Sequence, residues 1–324
     1  MNTGDASRSR QVAGAGKDPA PAISVIVPVY NDAAGLRTTV TSLLSQGADA
    51  QPYEVVVADN GSTDGTLETA LALAEGAGGR VQVLVESTIR SSYAARNAGA
   101  RASRGDVLCF VDADMTVPRD YVAAVRRVFD SGVVDYAGLA VRLDARSTTL
   151  ASRYNRVYGF RIEDYLETAR FAPTCCMCVR RKVFEALGGF DARLESSGDQ
   201  EFGQRVHAAG YVQRYVPEIV LRHPARERYR ALLTKERRLA RGVAQLAFYH
   251  PDRFGHLASR PRSARIYLPT RPARIRERFE AAGIPLGPGG ATIFSIWSLP
   301  LKWTAALEQV RERRRLESAA GRRV

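Results

Sequence analysis

Two carboxylates one residue apart, Asp112 and Asp114, directly follow the apolar run Val107-Leu108-Cys109-Phe110-Val111. So placed they can share a divalent ion, directly or through water. Carboxylate oxygens are hard ligands that suit Mg2+ or Mn2+, and such an ion neutralises a diphosphate. Alone, such a pair after a strand is more often solvated loop or helix-capping acids. Asp59 closes a second apolar run, Glu54-Val55-Val56-Val57-Ala58, and opens the turn Asp59-Asn60-Gly61-Ser62-Thr63-Asp64-Gly65. Turn and cap chemistry accounts for Ser62, Thr63 and Asp64. It leaves Asp59 unexplained, and a carboxylate there could accept a hydrogen bond from a nucleobase.

The elements that must position these groups follow from periodicity. Residues 23–29, 54–58, 81–85 and 107–111 are short, continuous, β-branched runs of the kind found in strands covered on both faces. Helix-compatible segments separate them, at 34–44, after residue 65 and at 92–102. Such alternation predicts a parallel, doubly wound sheet, in which ligands gather outside the carboxyl ends of the strands. The clusters Tyr30-Asn31-Asp32, Asp59-Asn60 and Asp112-Ala113-Asp114 all fall at that edge. Further on, the pattern predicts strands at 136–143, 174–179 and 216–221, helices at 152–168 and 199–209, and a turn at Gly188-Gly189-Phe190-Asp191. Beyond His223 the chain reads as helical, Arg-rich and interrupted by prolines.

Six motifs in fixed order are Val27-Pro28-Val29-Tyr30-Asn31-Asp32, Val57-Ala58-Asp59-Asn60-Gly61-Ser62-Thr63-Asp64-Gly65-Thr66, Ala94-Ala95-Arg96-Asn97-Ala98-Gly99, Phe110-Val111-Asp112-Ala113-Asp114, Gly188-Gly189-Phe190-Asp191 and Gly198-Asp199-Gln200-Glu201-Phe202. In this order they resemble glycosyltransferase family 2 with its GT-A fold, over about residues 23–221. The resemblance implies that Pro28, Val29, Tyr30, Asp32 and Asp59 hold the nucleobase. It sets Arg90, Arg96 and Asn97 where the family contacts the nucleotide or stabilises that loop. Asp112 and Asp114 become the metal-binding pair, with Asp114 the stronger ligand. The catalytic base falls on Asp199, although Gly198 stands where the family commonly has Glu. From a helix start, Asp199 could take the proton of an acceptor hydroxyl attacking the anomeric carbon opposite the diphosphate, which inverts configuration. Its bland reading is an N-cap.

Four positions keep two readings each. Glu201 positions the acceptor or faces solvent. His223 completes the metal shell or touches the diphosphate, or is a surface histidine before Pro224. Arg238 and Arg241, three apart on one helix face, clamp phosphate together or belong to a solvated basic helix.

Charge separates the chain into unlike parts. Residues 1–222 carry 25 Lys+Arg against 26 Asp+Glu, whereas residues 223–324 carry 22 against 8. Any anionic partner should therefore meet the C-terminal third. There, residues 291–307 are apolar, hold Trp297 and Trp303, and are followed by Arg311, Arg313, Arg314 and Arg315. The stretch is short for a bilayer span and reads as a membrane-interface helix with an anionic-lipid anchor, or as a helix docked on protein. The cysteines Cys109, Cys175, Cys176 and Cys178 suit buried strands better than a disulfide framework or a zinc site. The opening 21 residues lack a secretory apolar run and read as a disordered lead.

The expectation is therefore an α/β GT-A fold, Rossmann-like with a mostly parallel sheet, over residues 22–222, and a basic helical extension over 223–324. The function expected is an inverting glycosyltransferase that uses Mn2+ or Mg2+ and a nucleotide-diphosphate sugar, UDP-linked by preference, on a glycan or polyprenyl-linked acceptor. Cytoplasmic placement follows, with peripheral attachment to the inner face of the membrane. The competing reading is nucleic-acid or membrane binding through the basic third. It leaves the acidic motifs unexplained, and no nucleic acid is expected as a partner.

Overall fold

The computed structural model describes residues 10–13, 22–50, 52–263 and 266–321. In chain order the strands are β1 (Arg10–Ala13), β2 (Ile23–Val29), β3 (Tyr53–Asp59), β4 (Val81–Val85), β5 (Val107–Phe110), β6 (Tyr136–Asp144), β7 (Met177–Arg180) and β8 (Gln213–Pro224). The helices are α1 (Ala33–Leu44), α2 (Thr66–Glu75), α3 (Ser92–Ala102), α4 (Tyr121–Asp130), α5 (Leu150–Tyr158), α6 (Ile162–Ala169), α7 (Arg181–Ala186), α8 (Gly198–Ala208), α9 (Tyr229–Tyr249), α10 (Pro251–Phe254), α11 (Pro272–Ala281), α12 (Gly290–Trp297) and α13 (Leu299–Gly321).

The strands form one sheet in the order β1-β4-β3-β2-β5-β7-β6-β8. Its centre, β4-β3-β2-β5, is parallel, and every residue of β2 and β3 is buried. That is what their unbroken β-branched runs require: a strand covered by helices on both faces cannot carry a polar alternate face. The flanks are antiparallel, β7 against β5 and β6 against β7, and β1 against β4 at the far edge. The sheet is thus parallel where it was expected to be and mixed outside. Strand β1 is also a correction, since it falls inside the stretch expected to be a disordered lead; the rest of that lead lies outside the described residues.

The chain winds from β2 through β3 to β4, then returns across to β5 on the other side of β2. This reversal opens a crevice at the carboxyl ends of the central strands. Register sets the level of its floor. Val29 pairs with Asp59 and Asp59 with Val85 in one row, while β5 stops at Phe110 opposite Ile26. Helix α3 lies hard against β2: a Cβ on Gly99 would come within 2.6 Å of Ile26 Cγ2.

Contact density divides the chain into two compact units. The first comprises residues 1–142, 162–192 and 199–223 and contains the sheet centre and α1–α4 and α6–α8. The second comprises 143–161, 193–198 and 224–324 and is helical, with α5 and α9–α13. Its core gathers Val157, Ile275, Phe279, Ile284 and Phe294, with Phe279 and Phe294 rings 4.6 Å apart.

Two expected helices are each two. The segment 152–168 breaks after Tyr158, at Gly159, where a Cβ would stand 2.5 Å from Asn155 O. The segment 291–307 is α12 and the start of α13, parted at Ser298, with Pro300 in the first turn of the second helix, where its missing N–H costs nothing. The strand expected at 174–179 opens instead as a 3-10 turn, Thr174–Cys176, behind Pro173.

Candidate active site

At the carboxyl ends of β2 and β3 two loops are stitched together. Asn31, in the left-handed region at φ 51°, donates its N–H to Ser62 Oγ at 2.9 Å, and its Oδ1 accepts from Thr63 N at 2.8 Å. Asp32, expected among the nucleotide contacts, is engaged as the N-cap of α1, its Oδ1 accepting from Gly35 N at 2.9 Å. Asp59 is 1% exposed. Its Oδ2 accepts from Gly61 N and Ser62 N, both at 3.0 Å. Its Oδ1 is equally buried and has no hydrogen-bond partner among the described residues. The turn thus accounts for one oxygen and leaves the other as an unsatisfied acceptor, a state that favours capture of an N–H.

The loop after β4 is pinned beside this turn. Asn60 Nδ2 donates to Glu86 O and Ile89 O, and Glu86 Oε1 accepts from Thr88 N and Ile89 N. So held, the loop carries the Arg90 guanidinium to 4.9 Å from the centroid of the Tyr30 ring, whose residue is 43% exposed. Tyr30 and Arg90 form a stacked pair at the mouth of the crevice, while Pro28 and Val29 are buried within β2.

One strand over, the loop after β5 carries the paired acids. Arg96, buried on α3, donates from Nη2 to Asp112 Oδ1 at 2.6 Å, and its guanidinium lies 5.5 Å from the Tyr93 ring centroid. This buried cation neutralises one of two neighbouring carboxylates. Asp114 Oδ1 stands 3.5 Å from His223 Nε2, with Asp114 38% and His223 5% exposed. A reciprocal pair of 2.9 Å backbone hydrogen bonds between Thr116 and Arg222 brings the end of β8 to this loop and so sets His223 against Asp114. His223 is thus a buried histidine whose Nε2 faces Asp114, not a surface one. Asp112 makes its own ion pair, and among the described residues no three His, Cys, Asp or Glu side chains converge as a ready cation cage. The four cysteines are buried free thiols. Cys176 and burial push the Cys175 thiol well above its ordinary pKa.

Asp199 is half-buried in the first turn of α8. Its Oδ1 accepts from Gln200 N at 2.9 Å and from the Tyr93 hydroxyl at 3.5 Å, and its own N–H reaches Tyr93 Oη at 3.3 Å. Tyr93 was not among the expected residues. An aromatic in a helix first turn looks like core in a sequence, and half of this one is: its ring packs 5.4 Å from Phe190.

Three expected site residues make bonds within the protein. Glu201 is 1% exposed, and both its oxygens accept from Arg205, whose Nη1 also holds Leu187 O and whose Nη2 also holds Gly189 O. It does not face solvent, and through Arg205 it fixes the Gly188–Gly189 turn to α8. Asn97 exchanges hydrogen bonds with both backbone groups of Phe190, at 2.8 and 3.0 Å, and so anchors the same loop. Arg241, in the second unit, is bidentate to Glu195 and also bonded to Glu308 at 2.8 Å. Those bonds to Glu195 raise its pKa further, and they correct the reading of Arg241 as half of a phosphate clamp. Arg238 is exposed on α9.

The description "Glycosyl transferase family 2" matches residues 24–188, half of the chain, and "Glycosyl transferase family group 2" matches residues 107–305. The chain belongs to glycosyltransferase family 2. Accordingly it is a glycosyltransferase that takes its sugar from a nucleotide-sugar donor. The family 2 relatives include the glycosyltransferase AglE of Haloferax volcanii, 33% identical over 70% of this chain and 74% of its own length. The pre-mycofactocin glycosyltransferase of Mycobacterium tuberculosis is 27% identical over 71% of this chain, which spans about half, 48%, of that relative. Among solved structures, a mannosyltransferase from Pyrobaculum calidifontis, in complex with GDP-Man and Mn2+, superposes with a TM-score of 0.60 over 90% of this chain and 88% of its own. At 20% identity that likeness is one of fold, and the fold is GT-A.

Proposed function

We propose that this family 2 enzyme is an inverting, divalent-metal-assisted transferase that uses a UDP-sugar and a glycan or polyprenyl-linked acceptor, with catalysis in residues 22–222. The observation that carries the donor assignment is the buried Asp59 Oδ1 without a donor. Uracil presents an imide N–H that fits such an acceptor, and Tyr30 offers a face on which the base can stack, with Arg90 behind it. Guanine also carries a ring N–H, whereas cytosine has only a lone pair at the equivalent nitrogen.

Asp114 and His223, with Asp112 beside them, fit a divalent ion: a carboxylate and an imidazole meet at 3.5 Å in a partly open position. When bound, the ion supplies charge neutralisation for the departing diphosphate. Arg96 does the protein's own share by keeping Asp112 paired, so that two adjacent carboxylates do not together repel the diphosphate. Asp199 removes the proton from the acceptor hydroxyl as its oxygen forms a bond to the anomeric carbon. The carbon–oxygen bond to the diphosphate breaks on the opposite face, its electron pair leaves with the phosphate oxygen, and configuration inverts. Tyr93 fixes the rotamer of Asp199 for that transfer. The basic region 223–324, with Arg238 exposed upon it, is assigned to an anionic membrane surface and to the acceptor.

Calorimetric titration with UDP, GDP, dTDP and CDP, each with and without Mn2+, tests the donor site. UDP is expected to bind most tightly, with Mn2+ and not without it, and Asp114→Asn to lose that dependence. Equal binding of CDP would remove the imide argument, and metal-independent binding would remove the role given to Asp114 and His223.

A further inference from the structure

Large apolar side chains exposed on this molecule are not scattered. Among the described residues eleven are exposed, and six of these, Tyr267, Leu268, Ile293, Ile296, Trp303 and Leu307, lie between residues 267 and 307 of the second unit. Single exposed apolar residues need no explanation, but a concentration of them does. Ile293 and Ile296 are 54% and 61% exposed one turn apart on α12. Trp303 and Leu307 are 41% and 53% exposed, one turn apart on α13.

The segment 267–270, ahead of α11, is fastened to α12 and α13. Trp303 Nε1 donates to Tyr267 O at 3.1 Å and Lys302 Nζ to Leu268 O at 2.6 Å, and Ser295 Oγ reaches Thr270 O at 2.5 Å. Leu268, itself 58% exposed, is therefore held beside the helices by bonds made by their own side chains. Next to it a groove of about 720 Å³ is lined by Leu268, Thr270, Arg271, Arg274, Lys302 and a single carboxylate, Glu277. Desolvation lowers the pKa of Lys302, so a nearby anion would stabilise its charged form. Past the apolar residues, α13 turns outward Arg311 and Arg314, both exposed.

Building on the membrane reading above, we propose that α12, the start of α13 and the 267–271 loop form a membrane-docking face. It seats the apolar side chains at the headgroup–acyl boundary of an anionic bilayer and takes a lipid phosphate among Arg271, Arg274 and Lys302. Charge selects this occupant. A second copy of the chain would bring the same strongly basic third against itself, and residues 223–324 carry 22 basic against 8 acidic side chains. An anionic bilayer offers both the apolar phase and the opposite charge. Trp303 is placed as an interfacial tryptophan should be, its ring partly outward and its N–H held by protein. No helix among the described residues is long and apolar enough to cross a membrane, so attachment on this face would be in-plane.

Flotation of the full chain with vesicles of phosphatidylcholine alone, or of equal parts phosphatidylcholine and phosphatidylglycerol, tests the face. The anionic vesicles are expected to bind the chain at least about tenfold more tightly, with a blue shift in tryptophan emission that Trp303→Phe abolishes. The double variant Ile293→Ser, Ile296→Ser changes only exposed positions and should weaken binding about tenfold or more. Arg271→Glu with Arg274→Glu should weaken it and flatten its salt dependence. Both variants should keep wild-type UDP affinity, which reports an intact donor site and fold. Variants that float like wild type would overturn this face while leaving a membrane partner standing. A wild-type chain that floats with neither vesicle would overturn both, and equal flotation with both would overturn the phosphate groove.

Discussion

A buried carboxylate with one oxygen engaged by its own turn and the other without a donor is costly unless something supplies a hydrogen. At Asp59 that something is argued to be a nucleobase. Asp59→Asn keeps the turn's acceptor but replaces the other oxygen with an N–H donor. UDP affinity in calorimetry should fall by about 1–3 kcal/mol, roughly five- to 150-fold, with little change in melting temperature. An unchanged affinity would place the base elsewhere. Asp199→Asn should behave oppositely: UDP affinity is retained and the transfer rate falls by roughly two to four orders of magnitude in a sugar-transfer assay. At this scale Asp59, Asp112, Asp114 and Asp199 could be singled out from the sequence because each stands in an ordered motif at a strand or helix end. The sequence did not foresee Tyr93, whose hydroxyl reaches a residue 106 positions away. Nor could it show that Glu201, Asn97 and Arg241 are engaged by the protein itself, since a carboxylate, amide or guanidinium reads the same whether its partner is a ligand or Arg205, Phe190 or Glu195.

Elements carry the site only as accurately as they pack. Gly99 lets α3 lie against β2 and so delivers both Arg96 and Tyr93. Gly99→Ala would force a methyl to within 2.6 Å of Ile26 Cγ2. The expected cost is about 1–3 kcal/mol in chemical denaturation, with weakened donor binding as α3 is displaced. Helix α13 is held to α9 by Gln245 Nε2 on Glu312 Oε1 at 2.8 Å, and Glu312 is also bonded to Arg315. Hydrogen bonds from Arg315 first, then Gln245, with the charges of Arg315 and Arg241, hold the Glu312 carboxyl below its usual range. A depressed folded pKa means stability that is present above the unfolded value, about 4.3, and is lost as pH falls through the folded one. Glu236, which burial pushes up, acts in the opposite sense in the same unit. Glu312→Gln should therefore flatten the acid limb of the stability–pH curve and leave neutral stability less affected than Glu312→Ala does. The strands β2–β5 and helices α1 and α3 were legible because periodicity and burial agree there. The breaks at Gly159 and Ser298 were not, since each depends on what a neighbouring turn leaves room for, and β1 was not, because its four residues are defined by the ladder they join.

For the molecule as a whole, ligand linkage offers the broadest check. At a hundredfold excess over Kd, UDP with Mn2+ should add about 2.7 kcal/mol, or roughly 2–4 °C of melting temperature per kcal/mol for a domain of about this size. Asp114→Asn should show little of that shift. Charge was legible at this scale from counting alone, but the compact units do not follow the expected boundary at residue 222, since 143–161 and 193–198 join the helical unit. The antiparallel flank of the sheet was not legible, because strand direction depends on connections whose route a sequence does not display. One feature of the core has a practical side. Cys109 and Cys178 face each other across β5 and β7 beneath the Tyr121 hydroxyl, and burial holds Cys109 far from its thiolate form. A thiol reagent therefore meets these sulfurs only when the sheet opens, so the rate of their labelling is an internal clock for unfolding, one that a bound nucleotide should slow.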